Sequence, residues 1–309
     1  MLSFVVPAHN EREHIAACVK SILHFAPPSE RVEVVVVNNR SSDDTGVLAA
    51  AAGARVLDSS ATTIGAVRNE GVRASSGDLL VFLDGDCILT AEWASGIQPV
   101  LDLVRTDVPT LAGSHPIPPR DEPVFLWRHW FIPFFQQDGT SHIGSAHMIC
   151  RRDEFLSAGG FDEHLATGED FELCARFERR GGRVEVRSEL IVEHFGFPRT
   201  VRQFIRRERW HGRGDVSSWR AFLRSRVAVL SIAFTGSVLL AVVALTLARP
   251  APAALAAASA AAIVLGASAF RFRHAGVGAQ VIATGIFPLY LFGRSLAVLD
   301  AVLRRRRRR

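Results

Sequence analysis

The chain has 309 residues, four cysteines and a net charge of +5, which is long enough for one α/β domain and an additional segment. The cysteines are far apart and form no C-x-x-C pair, which excludes a zinc-knuckle pattern and gives no sign of a disulfide scaffold. Residues 216–309 carry a net charge of +12, leaving −7 for residues 1–215. An acidic front joined to a basic, apolar rear argues against nucleic acid as a partner and for a domain tethered to an anionic membrane.

The first two thirds of the chain alternate buried-strand and amphipathic-helix patterns. Strands are predicted at LSFVVPA, VEVVVVNN, ARVLD and LLVFLDGD, with helices over residues 11–25, 43–52 and 64–74. This alternation predicts an α/β fold with a mostly parallel sheet and helices on both faces. Ligands bind at the carboxyl ends of such strands, so the polar clusters PAHNE, NNRSSDDT and DGD are expected to open onto one crevice. Neither a G-x-G-x-x-G dinucleotide motif nor a P-loop motif is present.

The third of these clusters places two aspartates, Asp84 and Asp86, directly after an apolar strand. Two like charges this close repel each other unless a positive group lies between them. Mg²⁺ and Mn²⁺ are commonly held by one or two carboxylates plus substrate phosphates, and Gly85 allows the sharp turn that aims both side chains at one bound group. The pattern therefore indicates a divalent cation site.

The last third of the chain is predicted to be a membrane anchor over residues 216–303. Residues 227–248 and 251–270 carry no charge and are long enough to cross a bilayer as helices; a buried soluble helix is the alternative for the second. Arginines flank the outer ends of these two segments, which predicts a multi-pass hairpin with both of its ends in the cytoplasm. A third apolar stretch, residues 277–293, contains Gly285 and Pro288. We expect a re-entrant or interfacial segment there, with the polybasic tail 304–309 on cytoplasmic anionic lipid; three true spans are the alternative.

Four linked motifs resemble those of the family 2 glycosyltransferases, which have the GT-A fold. They are FVVPAHNE, VVVVNNRSSDDT, AVRNEGVRASSGDLLVFLDGDC and AGGFDEHLATGEDFELCARFERRGG, and they extend the resemblance over residues 2–214. The resemblance implies a catalytic domain over residues 1–215. It also implies a nucleotide-sugar donor, most often a UDP-sugar, bound with Mg²⁺ or Mn²⁺.

By position in these motifs, the resemblance implies a nucleotide-sugar site lined by Pro7, Asn10, Glu11, Asn39, Arg68, Asn69 and Asp84. Asn39 would meet the base, and Arg68 and Asn69 would approach the base or the diphosphate. The chain departs from the family pattern at Asn38 and Asn39, where aspartate is common, which puts the identity of the base in doubt.

The resemblance also assigns the metal site and the catalytic acids. Asp86 would ligate the metal directly, Asp84 would contact the ribose or a metal-bound water, and His194 matches a third metal ligand. Asp170 matches the family's catalytic base, and Glu169 would orient the acceptor or a neighbouring side chain. The alternatives are a structural histidine and two acids that favour a helix N-terminus. A single base without a second nucleophile implies direct displacement with inversion.

Residues 200–214 form a predicted basic amphipathic helix at the membrane surface. Arg206, Arg209 and Trp210 within it resemble the [QR]-x-x-R-W motif of membrane-bound polysaccharide synthases, in which the arginines face the diphosphate and the tryptophan lies near the acceptor. Interfacial anchoring alone is the alternative. The aromatic-rich residues 124–137 either grip a lipid or sugar acceptor, enter the membrane interface or form ordinary core.

These features together predict an inverting, metal-dependent glycosyltransferase in a bacterial inner membrane, with its catalytic domain in the cytoplasm. It would transfer a sugar to a lipid-linked, glycolipid or polysaccharide acceptor. Two alternatives are a processive polysaccharide synthase subunit and a catalytically silent, nucleotide-sensing membrane scaffold.

Overall fold

The computed structural model describes residues 1–119, 124–132, 142–216 and 219–307. These residues belong to two compact units. The first contains residues 1–119 and 142–196, and the second contains residues 124–132 and the described residues from 197 to 307. The units therefore differ from the predicted division at residue 215, because the helix over residues 201–215 packs against the last helix of the chain.

The first unit contains a mixed, mostly parallel sheet, as predicted. Its strands are β1 Leu2–Ala8, β2 Val32–Asn39, β3 Arg55–Ser59, β4 Leu79–Leu83, β5 Cys87–Leu89, β6 Thr110–Gly113, β7 His147–Arg151, β8 Arg183–Val186 and β9 Val192–His194. Seven of them form one sheet in the order β3-β2-β1-β4-β7-β6-β8, and β5 pairs with β9. Strand β7 runs antiparallel to β4 and β6, while the other neighbours in the large sheet are parallel.

Helices cover both faces of this sheet. They are α1 Ile15–Phe25, α2 Thr45–Ala51, α3 Ile64–Ala74, α4 Ala91–Val104, α5 Arg152–Ser157 and α6 Glu169–Arg179. Alternate residues of β1 enter different cores: Phe4 and Val6 share one cluster with Ile15 of α1, whereas Val5 shares the other with Val72 of α3. Both faces of a central parallel strand are thus buried, which explains its uninterrupted apolar sequence.

The predicted strand LLVFLDGD is shorter in the structure. Strand β4 ends at Leu83, and the chain turns through residues 84–86 before β5 begins at Cys87. The backbone N–H of Cys87 donates to the carbonyl of Asp84 at 3.0 Å and closes this turn. The two aspartates therefore lie on a turn between strands of two different sheets, and β5 pairs antiparallel with β9, which carries His194.

The second unit is helical among its described residues. Its helices are α7 Val201–Asp215, α8 Trp219–Arg224, α9 Arg226–Thr246, α10 Pro250–Arg271 and α11 Val277–Arg307. Thr200 caps α7: its side chain accepts from the N–H of Gln203, whose own side chain accepts from the N–H of Thr200. This capping box fixes the start of the predicted amphipathic helix.

Trp130 and Phe131 of the aromatic-rich segment belong to the core of this second unit, whereas Phe125 is exposed. Trp130 is buried, and its ring lies 5.1–5.6 Å, centroid to centroid, from the rings of Phe204, Phe272, Phe287 and Tyr290. Such aromatic clusters bury large areas and contribute beyond simple area burial. Residues 133–137 of the segment lie outside the described residues.

By length and composition, α9, α10 and α11 can each cross a membrane. Helix α11 continues without a break through Gly285 and Pro288. Proline removes one backbone N–H, but an apolar setting favours keeping the remaining helical hydrogen bonds. Whether the third helix spans the bilayer stays a prediction.

Ion pairs join α7 to α11. Arg294 donates to the carboxylates of Glu208 at 3.0 Å and Asp215 at 2.9 Å, and Arg209 donates to Asp300 at 2.7 Å. Gly293 permits the close approach, since a Cβ there would lie 2.8 Å from the Cβ of Glu208. The two helices are therefore held by paired charges as well as by apolar contact.

Candidate active site

The turn with the two aspartates lies at the carboxyl end of β4, beside the loop that follows β1. Glu11 from that loop packs over Gly85, with its Cγ 3.3 Å from where a Cβ of residue 85 would be. Burial, and then the charges of Asp86 and Asp84, raise the pKa of Glu11 to about 8. Three carboxyl groups thus share one small region, where a bound cation would offset their mutual repulsion.

Asp86 faces His194 across the β5-β9 pair. The Oδ2 of Asp86 lies 3.2 Å from Nε2 of His194, and both side chains are largely buried. Burial alone would raise the pKa of Asp86, but the nearby His194 and His14 lower it overall. No side chain fits at Gly196, because a Cβ there would be 2.4 Å from the Asp86 oxygen and 2.8 Å from the His194 nitrogen.

This pair fits a divalent cation. The carboxylate oxygen suits both Mn²⁺ and Mg²⁺, the imidazole nitrogen favours a transition metal such as Mn²⁺ over Mg²⁺, and Gly196 keeps the space beside them open. The Sγ of Cys87 lies within 4.8 Å of both donors, but burial raises the pKa of its thiol well above the usual range, so the thiol stays protonated. The structure therefore brings together two of the three predicted metal residues, Asp86 and His194.

The third, Asp84, is held by Arg68. The NH2 of Arg68 donates to Oδ1 of Asp84 at 2.7 Å, and its NH1 donates to Oε1 of Glu169 at 2.8 Å. The guanidinium is buried and lies over the ring of Phe161, 5.7 Å from its centroid. Arg68 thus connects an acid of the predicted metal turn with an acid of the predicted catalytic pair.

The predicted catalytic acids occupy the N-terminal turn of α6. Glu169 is buried, and its Oε1 also accepts from the hydroxyl of Ser145 at 3.2 Å. Asp170 accepts from the backbone N–H groups of Ser145 at 3.3 Å and Phe171 at 2.8 Å. Burial raises the pKa of Glu169, while for Asp170 the neighbouring His142, the N–H of Phe171 and the charge of Arg68 outweigh burial and lower the pKa to about 2.

Two of the predicted nucleotide residues shape the loops at the ends of β1 and β2. Asn10 has a φ of 58°, a conformation that asparagine tolerates better than most residues. Its Oδ1 accepts from the N–H of Ser42 at 2.8 Å, so it ties the first loop to the second. In the amide orientation that satisfies its hydrogen bonds, the nitrogen of Asn39 donates to the carbonyls of Ser59 and Ala61 at 3.2 Å each. Its Oδ1 is then the side-chain atom left to accept a hydrogen bond. Pro7 is buried within β1.

The departure at Asn38 has a local cause. Its Nδ2 donates to Oδ1 of Asp58 on the neighbouring strand at 2.9 Å, and the two residues are paired in register. An aspartate at position 38 would set two carboxylates against each other, which is unfavourable at this distance. The hydrogen bond to Asp58 on β3 therefore explains why position 38 is asparagine.

Some predicted residues have other contacts in the structure. The amide of Asn69 is occupied by the loop before α6: it donates to the carbonyl of Phe161 at 2.9 Å and to Glu163 at 3.0 Å, and it accepts from the N–H of Phe161. Arg206, Arg209 and Trp210 lie on α7 in the second unit, where Arg209 pairs with Asp300. Their contacts with donor or acceptor stay predictions.

Sequence reasoning did not identify Ser145 and did not pair His142 with an acid. Ser145 binds both predicted catalytic acids, and Nε2 of His142 lies 3.6 Å from Oδ1 of Asp170. The signal was the polar SHIGS stretch directly before a buried strand. By contrast, His147 in that strand is buried and accepts from Nε1 of Trp93 at 2.9 Å; burial lowers its pKa to about 3, so it is a neutral core residue.

Comparison with known families gives two overlapping matches. The family model for "Glycosyl transferase family 2" matches residues 3–156, and the model for "Glycosyl transferase family group 2" matches residues 123–273. Together they extend from β1 to the end of the second long apolar helix.

Individual proteins give the same result. Glycosyltransferase AglE of Haloferax volcanii is 25% identical over 228 residues, which is 71% of this chain and 74% of that protein. The pre-mycofactocin glycosyltransferase of Mycobacterium tuberculosis is 28% identical over 160 residues, or 48% of this chain and 33% of that protein. The mannosyltransferase PcManGT from Pyrobaculum calidifontis, solved with GDP-Man and Mn²⁺, has a TM-score of 0.59 at 14% identity, covering 97% of this chain and 87% of its own. At that identity the likeness concerns the fold.

The position of Arg68 predicts a pH-dependent loss of stability in the variant Arg68→Met. Removing the cation leaves the buried Glu169 without its partner, and breaking such a pair costs about 3–5 kcal/mol of unfolding free energy. Because the pKa of Glu169 is already raised in the fold and rises further without Arg68, stability is lost as pH increases above the unfolded-state pKa. The loss is therefore expected to be larger at about pH 8 than at about pH 5.5.

Denaturant unfolding of the detergent-purified chain at both pH values measures this effect. The control is Arg73→Met in the same helix, where the arginine is exposed and pairs with the exposed Glu163; a change of about 0–1 kcal/mol is expected there. An equal loss for Arg68→Met at both pH values would contradict the assignment of the buried charge to Glu169.

Proposed function

Because the chain belongs to the family 2 glycosyltransferases, we propose that it transfers one sugar from a UDP-sugar to a lipid-linked acceptor with inversion at the anomeric carbon. Glycosyl transfer from a nucleotide sugar follows from the family and its relatives. The UDP-sugar, the divalent metal, the inverting course, the acceptor and the membrane face are parts of the proposal.

One observation carries it: the buried Arg68 binds both Asp84 on the predicted metal turn and Glu169 on the predicted catalytic helix. The residues that the family uses for the donor and for the acceptor are thereby linked through one side chain. A silent scaffold would need no such link between the predicted metal turn and the helix that carries Asp170.

Asp86 and His194 would hold Mn²⁺ or Mg²⁺, since they are the closely spaced donors beside the glycine at residue 196. When bound, such a cation neutralises charge on the departing diphosphate. Asn39 supports a base with an N–H donor, because in the amide orientation that satisfies its hydrogen bonds the nitrogen donates to backbone carbonyls and Oδ1 remains to accept. Uracil meets this requirement. Guanine meets it too, so the donor panel below includes GDP.

Asp170 would accept the acceptor's proton. Its low pKa keeps the carboxylate ionised at neutral pH, and a base must be within hydrogen-bond reach of the hydroxyl it deprotonates. Glu169 is bound by Arg68 and Ser145, so it fixes the start of α6 and orients its neighbour. Attack by the acceptor oxygen with loss of the nucleoside diphosphate inverts the anomeric carbon in one displacement.

The second unit supports a lipid acceptor. Arg202, Arg206, Arg209 and Arg213 are exposed and recur at helical spacing along one face of α7, as expected for contact with anionic headgroups. The opposite side packs on α11 through Glu208. We propose that α9 and α10 span the bacterial inner membrane, and that α11 stays on the cytoplasmic side because Arg294, Asp300 and their partners on α7 are costly in hydrocarbon.

The metal site predicts a nucleotide- and metal-dependent thermal shift. The detergent-purified chain is heated with UDP, GDP, dTDP or CMP, each with Mn²⁺ or EDTA. A rise in melting temperature with UDP and Mn²⁺ is expected because ligands that bind the folded state stabilise it, and Asp86→Ala should abolish it. The control Asp153→Ala removes an exposed acid of α5 and should keep the shift. A shift that EDTA leaves intact would contradict the metal assignment.

The catalytic assignment predicts that Asp170→Asn keeps donor binding and loses turnover. Nucleotide release is measured from UDP-glucose, UDP-galactose, UDP-N-acetylglucosamine and GDP-mannose in the presence of a bacterial lipid extract. Removing a general base lowers turnover by about 10²–10⁴-fold, while the thermal shift with nucleotide and Mn²⁺ should persist. Asp153→Asn is the matched control. Nucleotide binding without release from any donor in the parent chain would favour the scaffold, and a product ladder would favour the processive synthase.

The membrane arrangement predicts that the C-terminus faces the cytoplasm. A protease-cleavable tag after Arg309 should be cut in inside-out vesicles and protected in right-side-out ones. With two spans, α11 lies on the same side of the membrane as α7. A tag before Met1 is the control for the face of the first unit. Opposite protection of the two tags would mean three spans and would contradict the interfacial placement of α11.

A further inference from the structure

His142 is the residue beside the catalytic aspartate for which the mechanism above has no role. Its Nε2 lies 3.6 Å from Oδ1 of Asp170, beyond hydrogen-bond distance but within ion-pair distance. This nitrogen is buried, and it makes no hydrogen bond with the described residues. A buried polar atom without a hydrogen bond is costly, so its direction toward the reactive carboxylate calls for an explanation.

Two aromatic neighbours hold the His142 ring in this position. The ring of Phe171 lies 5.6 Å from it and the ring of His115 lies 6.5 Å from it, centroid to centroid. Phe171 directly follows Asp170, so the same turn of α6 carries both the carboxylate and one wall of the imidazole site. The imidazole and the carboxylate are therefore placed by one piece of backbone.

Among the titratable side chains around this pair, His142 is the one that can act as the partner of Asp170, because the others are bound elsewhere or neutral. On α6, Glu169 is occupied by Arg68 of α3, whose guanidinium binds Glu169 and Asp84. Burial, and then His142, lower the pKa of His115 to about 4, so His115 is neutral at physiological pH. Asp170 accepts its hydrogen bonds from backbone N–H groups. These groups orient a carboxylate but carry no charge and take up no proton.

We propose that His142 is a positioning residue for the catalytic base: its imidazole orients Asp170 and stabilises the charge that the carboxylate carries before transfer. This inference rests on the proposed role of Asp170. In the step, the acceptor oxygen bonds to the anomeric carbon while the bond from that carbon to the diphosphate oxygen breaks, and the acceptor proton moves to the Asp170 carboxylate. The electron pair leaves with the nucleoside diphosphate. His142 acts through the carboxylate and contacts neither substrate.

The test is the pH profile of turnover for His142→Gln and His142→Phe in the full chain, with the donor that the parent turns over fastest and the same lipid extract. The expected result is a roughly tenfold or larger fall in kcat at neutral pH. The acid limb of the profile should also move upward by about one pH unit or more, since Asp170 loses a partner that favours its ionised form. The KM for the donor should stay within about twofold, because donor groups are untouched.

The variants separate this role from packing and from the role of Asp170 itself. His142→Phe keeps a ring between Phe171 and His115, so an equal loss in both variants excludes a purely steric effect. His164→Gln changes an exposed histidine of the same unit and should leave the profile unchanged. An unmoved acid limb with kcat within twofold of the parent would overturn the inference while Asp170→Asn remains inactive. Full activity in Asp170→Asn would instead overturn the proposed function.

Discussion

The arrangement of the site depends on one buried guanidinium. Arg68 on α3 binds Asp84, 16 residues later, and Glu169, 101 residues later. A buried arginine needs partners for its charge, and two carboxylates this close to each other need a cation. The buried Arg68 and Glu169 therefore each need the other, and the half-buried Asp84 is a second partner for the guanidinium, so the first turn of α6 is tied to the turn after β4.

Helix α3 can pack against both the sheet and α6 because glycines allow a close approach on each side of the helix. A Cβ at Gly71 would lie 2.5 Å from Cγ1 of Val5, so α3 lies directly on the sheet. A Cβ at Gly65 would lie 3.2 Å from the carbonyl of Asp162 and 3.5 Å from Cβ of Glu169, so the start of α3 also packs against α6, with more space than at Gly71. Larger side chains at either position would displace the guanidinium from one of its two acids.

Local patterns in the sequence predicted the elements well and the contacts poorly. Helix α3 has the predicted bounds, 64–74, because a Thr63 cap and the backbone of Ser75 define its ends. The bridge made by Arg68 was not predicted, since its partners are far apart in the sequence and the motif resemblance directed it to the nucleotide.

Position 38 gives the same lesson, because the role of its asparagine depends on Asp58 of a neighbouring strand. The pairing of Asp86 with His194 was predicted only through the resemblance, and the structure supplies its cause in the β5-β9 pair.

The second unit shows why a basic amphipathic helix contains acids. A helix that served only to contact anionic lipid would gain nothing from Glu208 and Asp215, which reduce its positive charge. Both acids instead bind Arg294 of α11, while the exposed arginines of α7 lie elsewhere on the helix. The acids therefore hold α7 against α11, and this packing leaves the arginine-bearing face available to headgroups. Arg209 belongs to both sets: it is partly exposed yet paired with Asp300, so part of its charge is neutralised by the last helix.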